Sequence, residues 1–221
     1  FTISTMDYQA GRQLPPGEGS VSGGVDTLPN TGAEVTPTNV IINGDFEKPW
    51  ETDDGVAPDW EGFHNGQAQL GWYEELWPEA VYRDERAQLM EIFLVEPNIL
   101  DRVIAIYQTA KVAPNASYDL TLYAIMRSQV QAGDRNKHEF EMSWGIDFLG
   151  EGNYDNVEEW HMMPLEEQFR LGSSGEYPED IPLFYEMITG TVSTGDSNKI
   201  TLFIRGLKKF STGAEVNFDI D

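Results

Sequence analysis

The sequence contains no cysteine, which excludes disulfides, thiol nucleophiles and Cys-ligated zinc. Basic residues are scarce: 14 Lys and Arg stand against 38 Asp and Glu, giving a formal net charge of −24. A surface this negative repels phosphate backbones and anionic lipid, so neither nucleic acid nor a charged membrane surface is expected as a partner. No run approaches the ~20 consecutive apolar residues that a membrane span requires. No stretch carries a helical period, and there is no G-x-S-x-G, phosphate loop or zinc motif. The three histidines, His64, His138 and His161, are scattered and form no metal-spaced pair. Carboxylate pairs such as Asp59/Glu61 and Glu158/Glu159 arise by chance in so acidic a chain, and nothing in their spacing sets them across a cleft as glycoside hydrolysis needs. A non-enzymatic role is therefore expected.

Hydrophobic residues make up 40% of the 221 and aromatics 12%, enough for a real core. Two runs organise the chain. From Ser117 to Met126, Tyr118, Leu120, Leu122, Ala124 and Met126 alternate with Asp119, Thr121, Tyr123 and Ile125, the period of a strand buried mainly on one side. Before it, Val103-Ile104-Ala105-Ile106-Tyr107 is apolar throughout, as in a strand covered on both faces. The link Ala113-Pro114-Asn115-Ala116 makes the pair read as an antiparallel hairpin. A second hairpin is expected from Phe184–Val192 and Lys199–Arg205 around Thr194-Gly195-Asp196. The residues 67–73, 86–93 and 159–163 read as strands, as does the short Val40-Ile41-Ile42. Phe140, Met142, Trp144, Ile146 and Phe148 alternate with polar residues or glycine. Gln131-Ala132-Gly133-Asp134 reads as a turn. The pattern predicts about ten strands, and the fold class is all-β, a jelly-roll β-sandwich over residues 39–221 with an extended N-terminal tail.

Residues 1–38 differ in composition. Phe1 to Tyr8 has the chemistry of one short strand, and the stretch after it is rich in Gly, Pro, Ser and Thr, which is linker chemistry. Leu28-Pro29-Asn30-Thr31-Gly32 matches a cell-wall sorting pentapeptide but lacks the apolar segment and basic tail that accompany one, and reads as coincidence. At ~3.3 Å per residue, the thirty or so residues after Tyr8 reach up to ~100 Å. A strand on such an arm, with Phe1, Ile3, Met6 and Tyr8 as its larger residues, can add to a sheet edge of another copy. Repeated head to tail, that contact builds a fibre. A structural subunit of an extracellular or surface assembly is thus one functional expectation. The alternative is a tail folded back on its own domain or an ordinary linker.

Asn43-Gly44-Asp45-Phe46-Glu47 followed by Trp60 is similar to the opening of galactose-binding-like jelly rolls, the class that contains many carbohydrate-binding modules of secreted bacterial proteins. Trp77-Pro78-Glu79 with Tyr82, Ala87-Gln88-Leu89, Ile106-Tyr107-Gln108, Ala113 to Tyr118, Gly145-Ile146-Asp147 and Val216 to Asp219 resemble later blocks of that pattern, with Asn115 where glycine is usual. The resemblance covers roughly residues 39–221. It implies an extracellular or cell-surface module, in keeping with a chain that begins at Phe1 and reads as a processed, secreted product. It also implies a structural Ca²⁺ tying the first strand to the last, for which Asp45, Glu47, Asp219 and Asp221 are the candidate ligands. Sugar rings stack on aromatic planes. The aromatic residues of the loops therefore point to a glycan or cell-surface polymer as partner, with Trp72, Tyr73, Trp77, Tyr82 and Trp160 as the candidate binding residues. Trp60 and Trp144 fit core positions instead. Asn115-Ala116-Ser117 is a glycosylation sequon.

Overall fold

The computed structural model describes residues 2–5, 39–51, 53–128, 139–168, 183–211 and 215–221. They form twelve strands: β1 (Thr2–Thr5), β2 (Glu61–His64), β3 (Ala68–Glu75), β4 (Ala87–Val95), β5 (Arg102–Lys111), β6 (Ser117–Ser128), β7 (Phe140–Asp147), β8 (Trp160–Met162), β9 (Glu167–Gln168), β10 (Glu186–Ser193), β11 (Lys199–Lys208) and β12 (Val216–Ile220). A single 3₁₀ turn, Tyr154–Asn156, accompanies them among the described residues. β1, β3, β4, β6, β9, β10 and β12 make one sheet, and β2, β5, β11, β7 and β8 make the other. Every pairing is antiparallel except that of β9 with β6. The architecture is the all-β jelly-roll sandwich expected from the alternation pattern.

The core lies where the inward faces meet. Leu120, Leu122, Ala124 and Met126 of β6, Met90 and Ile92 of β4, and Phe218 of β12 face Ile104 and Ile106 of β5, Leu202 and Ile204 of β11, and Met142, Trp144 and Ile146 of β7. These are the period-two positions of each strand. Phe218 reaches across the interface to Gly206 of β11, where a Cβ would overlap its ring. Trp60 and Trp144 are both buried, as expected.

Both anticipated hairpins are instead crossings between sheets. β5 pairs β2 and β11, while β6 pairs β1, β10, β12 and β9, so the link 112–116 carries the chain from one sheet to the other. β10 pairs β6 and β11 pairs β5 and β7, so 194–198 is a second crossing. Alternation fixes which face of a strand is buried but not which partner its edge meets, and a short polar link serves an arch as well as a hairpin. The two crossings lie side by side. Thr194 Oγ1 accepts from Ala116 N at 3.0 Å and donates to Ala113 O at 2.8 Å. Thr194 N donates to Ala116 O, Val112 N to Asn198 O, and Asn115 N to Gly195 O. Asn115 takes φ 54°, which asparagine tolerates better than most residues.

Other expectations shift locally. Val40-Ile41-Ile42 is not a strand: Asn43 and Phe46 take positive φ and the segment turns, with Ile42 N donating to Gln108 Oε1 at 2.8 Å. Phe148 leaves the β7 alternation at an exposed turn. Thr2–Thr5, expected outside the fold, belongs to the larger sheet through its pairing with β6. Phe1, Met6, Tyr8, the rest of the 6–38 segment and the 131–134 turn lie outside the described residues. No helix among the described residues is long and apolar enough to cross a membrane.

Gly206→Ala is expected to destabilise the fold by ~1–3 kcal/mol, the cost of overpacking a filled core, because the new methyl has Phe218 in its way. Urea unfolding checks this. A neutral outcome would mean that the Phe218 ring is free to move aside.

Candidate functional site

The structure parts the five aromatic candidates into three places. Trp72 and Tyr73 sit on β3, an edge strand of the seven-stranded sheet. Trp72 turns toward the sandwich, its indole N–H donating to Ala105 O of the opposite sheet at 3.1 Å. Tyr73 stays 47% exposed. The acidic loop that follows Trp50 packs alongside. Gly55, at φ 74°, lies so close to the Trp72 carbonyl that no Cβ fits there. Buried Gln88 pins this approach: its Oε1 accepts from Ala57 N at 2.8 Å, and its Nε2 donates to Gly55 O and Tyr73 O at 3.2 Å each. Trp50 donates its indole N–H to Phe46 O at 3.0 Å.

Together these elements leave a groove of about 520 Å³, lined by Trp50, Asp53, Asp54, Leu70, Trp72, Tyr73 and Glu74 among others. Both indole N–H groups are satisfied inside the fold and both indoles pack against the core, while Tyr73, next to Trp72 on β3, turns to the opposite face and keeps its ring exposed. Two of its carboxylates have partners. Asp54 Oδ1 accepts from Val56 N at 3.1 Å, and Glu74 pairs with Arg86 at 2.6 Å. Burial pushes the Tyr73 phenol above its ordinary value, and the carboxylates of Glu91 and Glu215 add to this. Asp53, Asp54 and Glu74 were missed as site residues. For Asp53 and Asp54 the signal was the run of acids between Trp50 and Trp60, and for Glu74 its place directly after Trp72-Tyr73.

Trp77 and Tyr82 lie elsewhere, in the segment 76–86 that crosses the outward face of the seven-stranded sheet. There Arg127 of β6, only 1% exposed, forms a bidentate pair with Asp219 of β12 (Nε–Oδ2 2.7 Å, Nη2–Oδ1 2.5 Å) and meets Glu75 at 2.8 Å. The Trp77 ring covers the guanidinium at 5.6 Å. Burial alone would lower the Arg127 pKa, but Asp219 beside it more than reverses this and holds the group charged. Tyr82 stacks on Tyr123 with centroids 4.0 Å apart, and the Tyr185 hydroxyl donates to Ala80 O at 2.6 Å. These rings seal a charged cluster.

Trp160 lies on β8, on the outward face of the five-stranded sheet. Arg205 covers its ring at 4.0 Å, and Tyr154 lies 5.0 Å from it while stacking on Phe63 at 4.4 Å. Buried Asp147 holds the loop that carries Tyr154, accepting from Leu149, Glu151 and Asn153 N–H groups. Tyr107 completes this face, donating to Glu61 at 2.8 Å, with its phenol pushed up to about 12 by burial and by Glu61.

The four acids expected at a cation have hydrogen-bond partners of their own, Asp45 accepting from Glu47 N at 3.5 Å. Asp219 is committed to Arg127. Glu47 Oε1 accepts from Glu85 N and Arg86 N at 2.9 and 2.8 Å. Asp221 accepts from Tyr82 N and Arg83 N at 3.0 Å each. Asp45 and Asp221 share a cavity of about 310 Å³ with Asp84. Among the described residues, no group of three or more histidine or acidic side chains is placed to hold a metal ion.

No family model matches the sequence, and the curated proteins yield no match. Among solved structures, the chain is similar to TmCBM61 in complex with β-1,4-galactotriose, at 10% identity over 82% of this chain and 94% of that one, with a TM-score of 0.42. It is similar to the enzymatically active domain of bacteriophage CBA120 tailspike protein 4, at 10% identity over 80% of this chain but 20% of that one, with a TM-score of 0.48. It is similar also to the K1 cleaved adhesin domain of Lys-gingipain from Porphyromonas gingivalis, at 12% identity over 76% and 93%, with a TM-score of 0.46. These are distant likenesses of strand arrangement, and no ligand or activity passes from them to this chain.

Two outcomes follow from the charges. Arg127→Ala leaves Asp219 buried without its partner and is expected to cost ~3–5 kcal/mol in urea unfolding. Glu91, across β4 from Asn217 and Gly71, has its carboxyl pushed up from 4.5 to about 7 by burial and by Glu215. The folded state therefore holds this proton more tightly than the unfolded chain, and the stability it contributes at low pH is lost as pH rises from about 4.5 through about 7. Stability of the Glu91→Gln protein should fall less steeply over that window. Equal slopes would show that Glu91 is not the group responsible.

Proposed function

We propose that this chain is a non-catalytic module that works outside the cell and binds glycan in the groove beside β3. The observation that carries the reading is the groove itself. Tyr73 offers exposed ring surface to the apolar face of a sugar, Trp50 and Trp72 back the groove, and Asp53, Asp54 and Glu74 line it to accept hydrogen bonds from the hydroxyls. Its volume of about 520 Å³ falls in the range of small-molecule sites. A formal charge of −24 suits a neutral or cationic polymer better than an anionic one. A hydrolytic role is less well supported. Glycoside cleavage wants two carboxylates facing one another across the bond, whereas Glu74 is held by Arg86 and Asp54 caps the backbone of its own loop.

Tyr73→Ala removes a ring that is 47% exposed. It should lower affinity for a glycan ligand about tenfold, equivalent to ~1.4 kcal/mol, with the far-ultraviolet circular dichroism unchanged. A glycan array identifies the ligand and titration calorimetry measures the change. An array without binding, or binding indifferent to Tyr73→Ala, would sink the proposal.

A further inference from the structure

β6 has two flanks, and their occupants are unusual. β10 pairs one flank along its whole length, from Ser193 opposite Ser117 to Glu186 opposite Ala124. β12 meets Ala124 through Ile220 from the other flank, and Asp221 exchanges both backbone hydrogen bonds with Tyr123 at 3.0 and 3.1 Å. β1 pairs Thr2 with Thr121, Ile3 with Leu120, Ser4 with Asp119 and Thr5 with Tyr118. Thr121 is already paired to Thr189 on the β10 side, so β1 lies on the β12 side. Both β1 and β12 run antiparallel to β6. They therefore lie end to end, in the same direction and register, with the single position opposite Leu122 between them. One flank of a central strand is filled by two pieces from opposite ends of the sequence.

Among the described residues β1 pairs with β6 and with no other strand. The 33 residues from 6 to 38 separate it from Asn39, which lines a cavity with Tyr123 and Asp221. Five strand positions separate Tyr118 from Tyr123, about 17 Å at ~3.4 Å per residue, a distance that about six extended residues would cover. The connecting segment is several times longer than closure on the same molecule needs. Fully extended, 33 residues reach up to ~110 Å at ~3.3 Å per residue, well beyond the ~40 Å width expected of a domain of this size, so the slot of an adjacent molecule is within reach.

We infer that the β12-side flank of β6, from Tyr118 to Thr121, is a docking slot for Thr2–Thr5 of a second copy of this chain, and that the protein exchanges this strand between molecules. The same pairings form in either case, so the exchange gains or loses only the difference between tether and concentration. Donor strand and slot are different surfaces of one molecule. A one-way exchange is thus head to tail and propagates into a chain of subunits, and a reciprocal one closes as a dimer. The inference stands apart from glycan binding, because the groove lies along β3, beyond β4 from the β12-side flank of β6.

The absence of natural cysteine makes the test unambiguous. Ser4 and Asp119 are directly opposed, at a Cα separation a disulfide can bridge. Full-length Ser4→Cys and full-length Asp119→Cys proteins, mixed at high micromolar concentration and oxidised, should give a covalent dimer containing one of each, well above the homodimers that either forms alone. The full-length double variant should give an internally linked monomer at nanomolar concentration and a ladder of linked multimers at high concentration. A mixture with no heterodimer, together with a double variant linked only internally at every concentration, would show the strand confined to its own molecule and overturn the inference. A double variant that forms no link at all would overturn the docking itself.

Discussion

The two crossings that carry the chain between sheets are tied to each other by Thr194, and the sandwich depends on that tie. Its hydroxyl accepts from Ala116 and donates to Ala113, while its amide donates to the Ala116 carbonyl. One buried side chain so satisfies the turning backbone of the other crossing, where unpaired polar groups would be costly. With the crossings locked, β5 and β11 must leave side by side in one sheet and β6 and β10 side by side in the other. The long ladders β5–β11 and β6–β10 follow, and with them the opposed faces that make the core.

The same constraint explains the division of labour between the two outward faces. The seven-stranded sheet carries a charged cluster of Arg127, Asp219 and Glu75 on the side away from the core, and the segment 76–86 covers it with Trp77 and Tyr82. The five-stranded sheet carries rings, Phe63, Tyr107, Tyr154 and Trp160, with Arg205 stacked among them. At the β3 edge rings and carboxylates meet in an open groove, because there the loop after Trp50 stands beside an unpaired strand edge rather than over a sheet face.

Strand identity and burial were legible in the sequence because both follow from local alternation. Leu120, Leu122, Ala124 and Met126 are buried as their spacing requires, and Met142, Trp144 and Ile146 likewise. Pairing was not legible. Ala113 to Ala116 and Thr194 to Asp196 carry the turn residues of hairpins, and the decisive partner of each is the other, some eighty residues away. The site was half legible for the same reason. Trp72 and Tyr73 carry an aromatic signal of their own, whereas Asp53 and Asp54 join them only through the folding of the 50–55 loop. The acids near the two ends show the converse. Asp219 looked free to bind a cation until the sheet set Arg127 beside it.

β12 occupies the middle of the larger sheet, with β4 on one side and β6 on the other, and its Phe218 fills the core across from Gly206. The sheet is thus completed by residues 216–220, which a ribosome adds long after β4 and β6 have been made. Until they arrive, β4 and β6 each present an open hydrogen-bonding edge and an uncovered apolar face, the surfaces most prone to pair with the wrong strand. Contacts of such long sequence separation form slowly. Residues 216–220 therefore act as the closing stave of the molecule: cooperative folding waits for them, and a nascent chain lacking them has two half-sheets and no finished core.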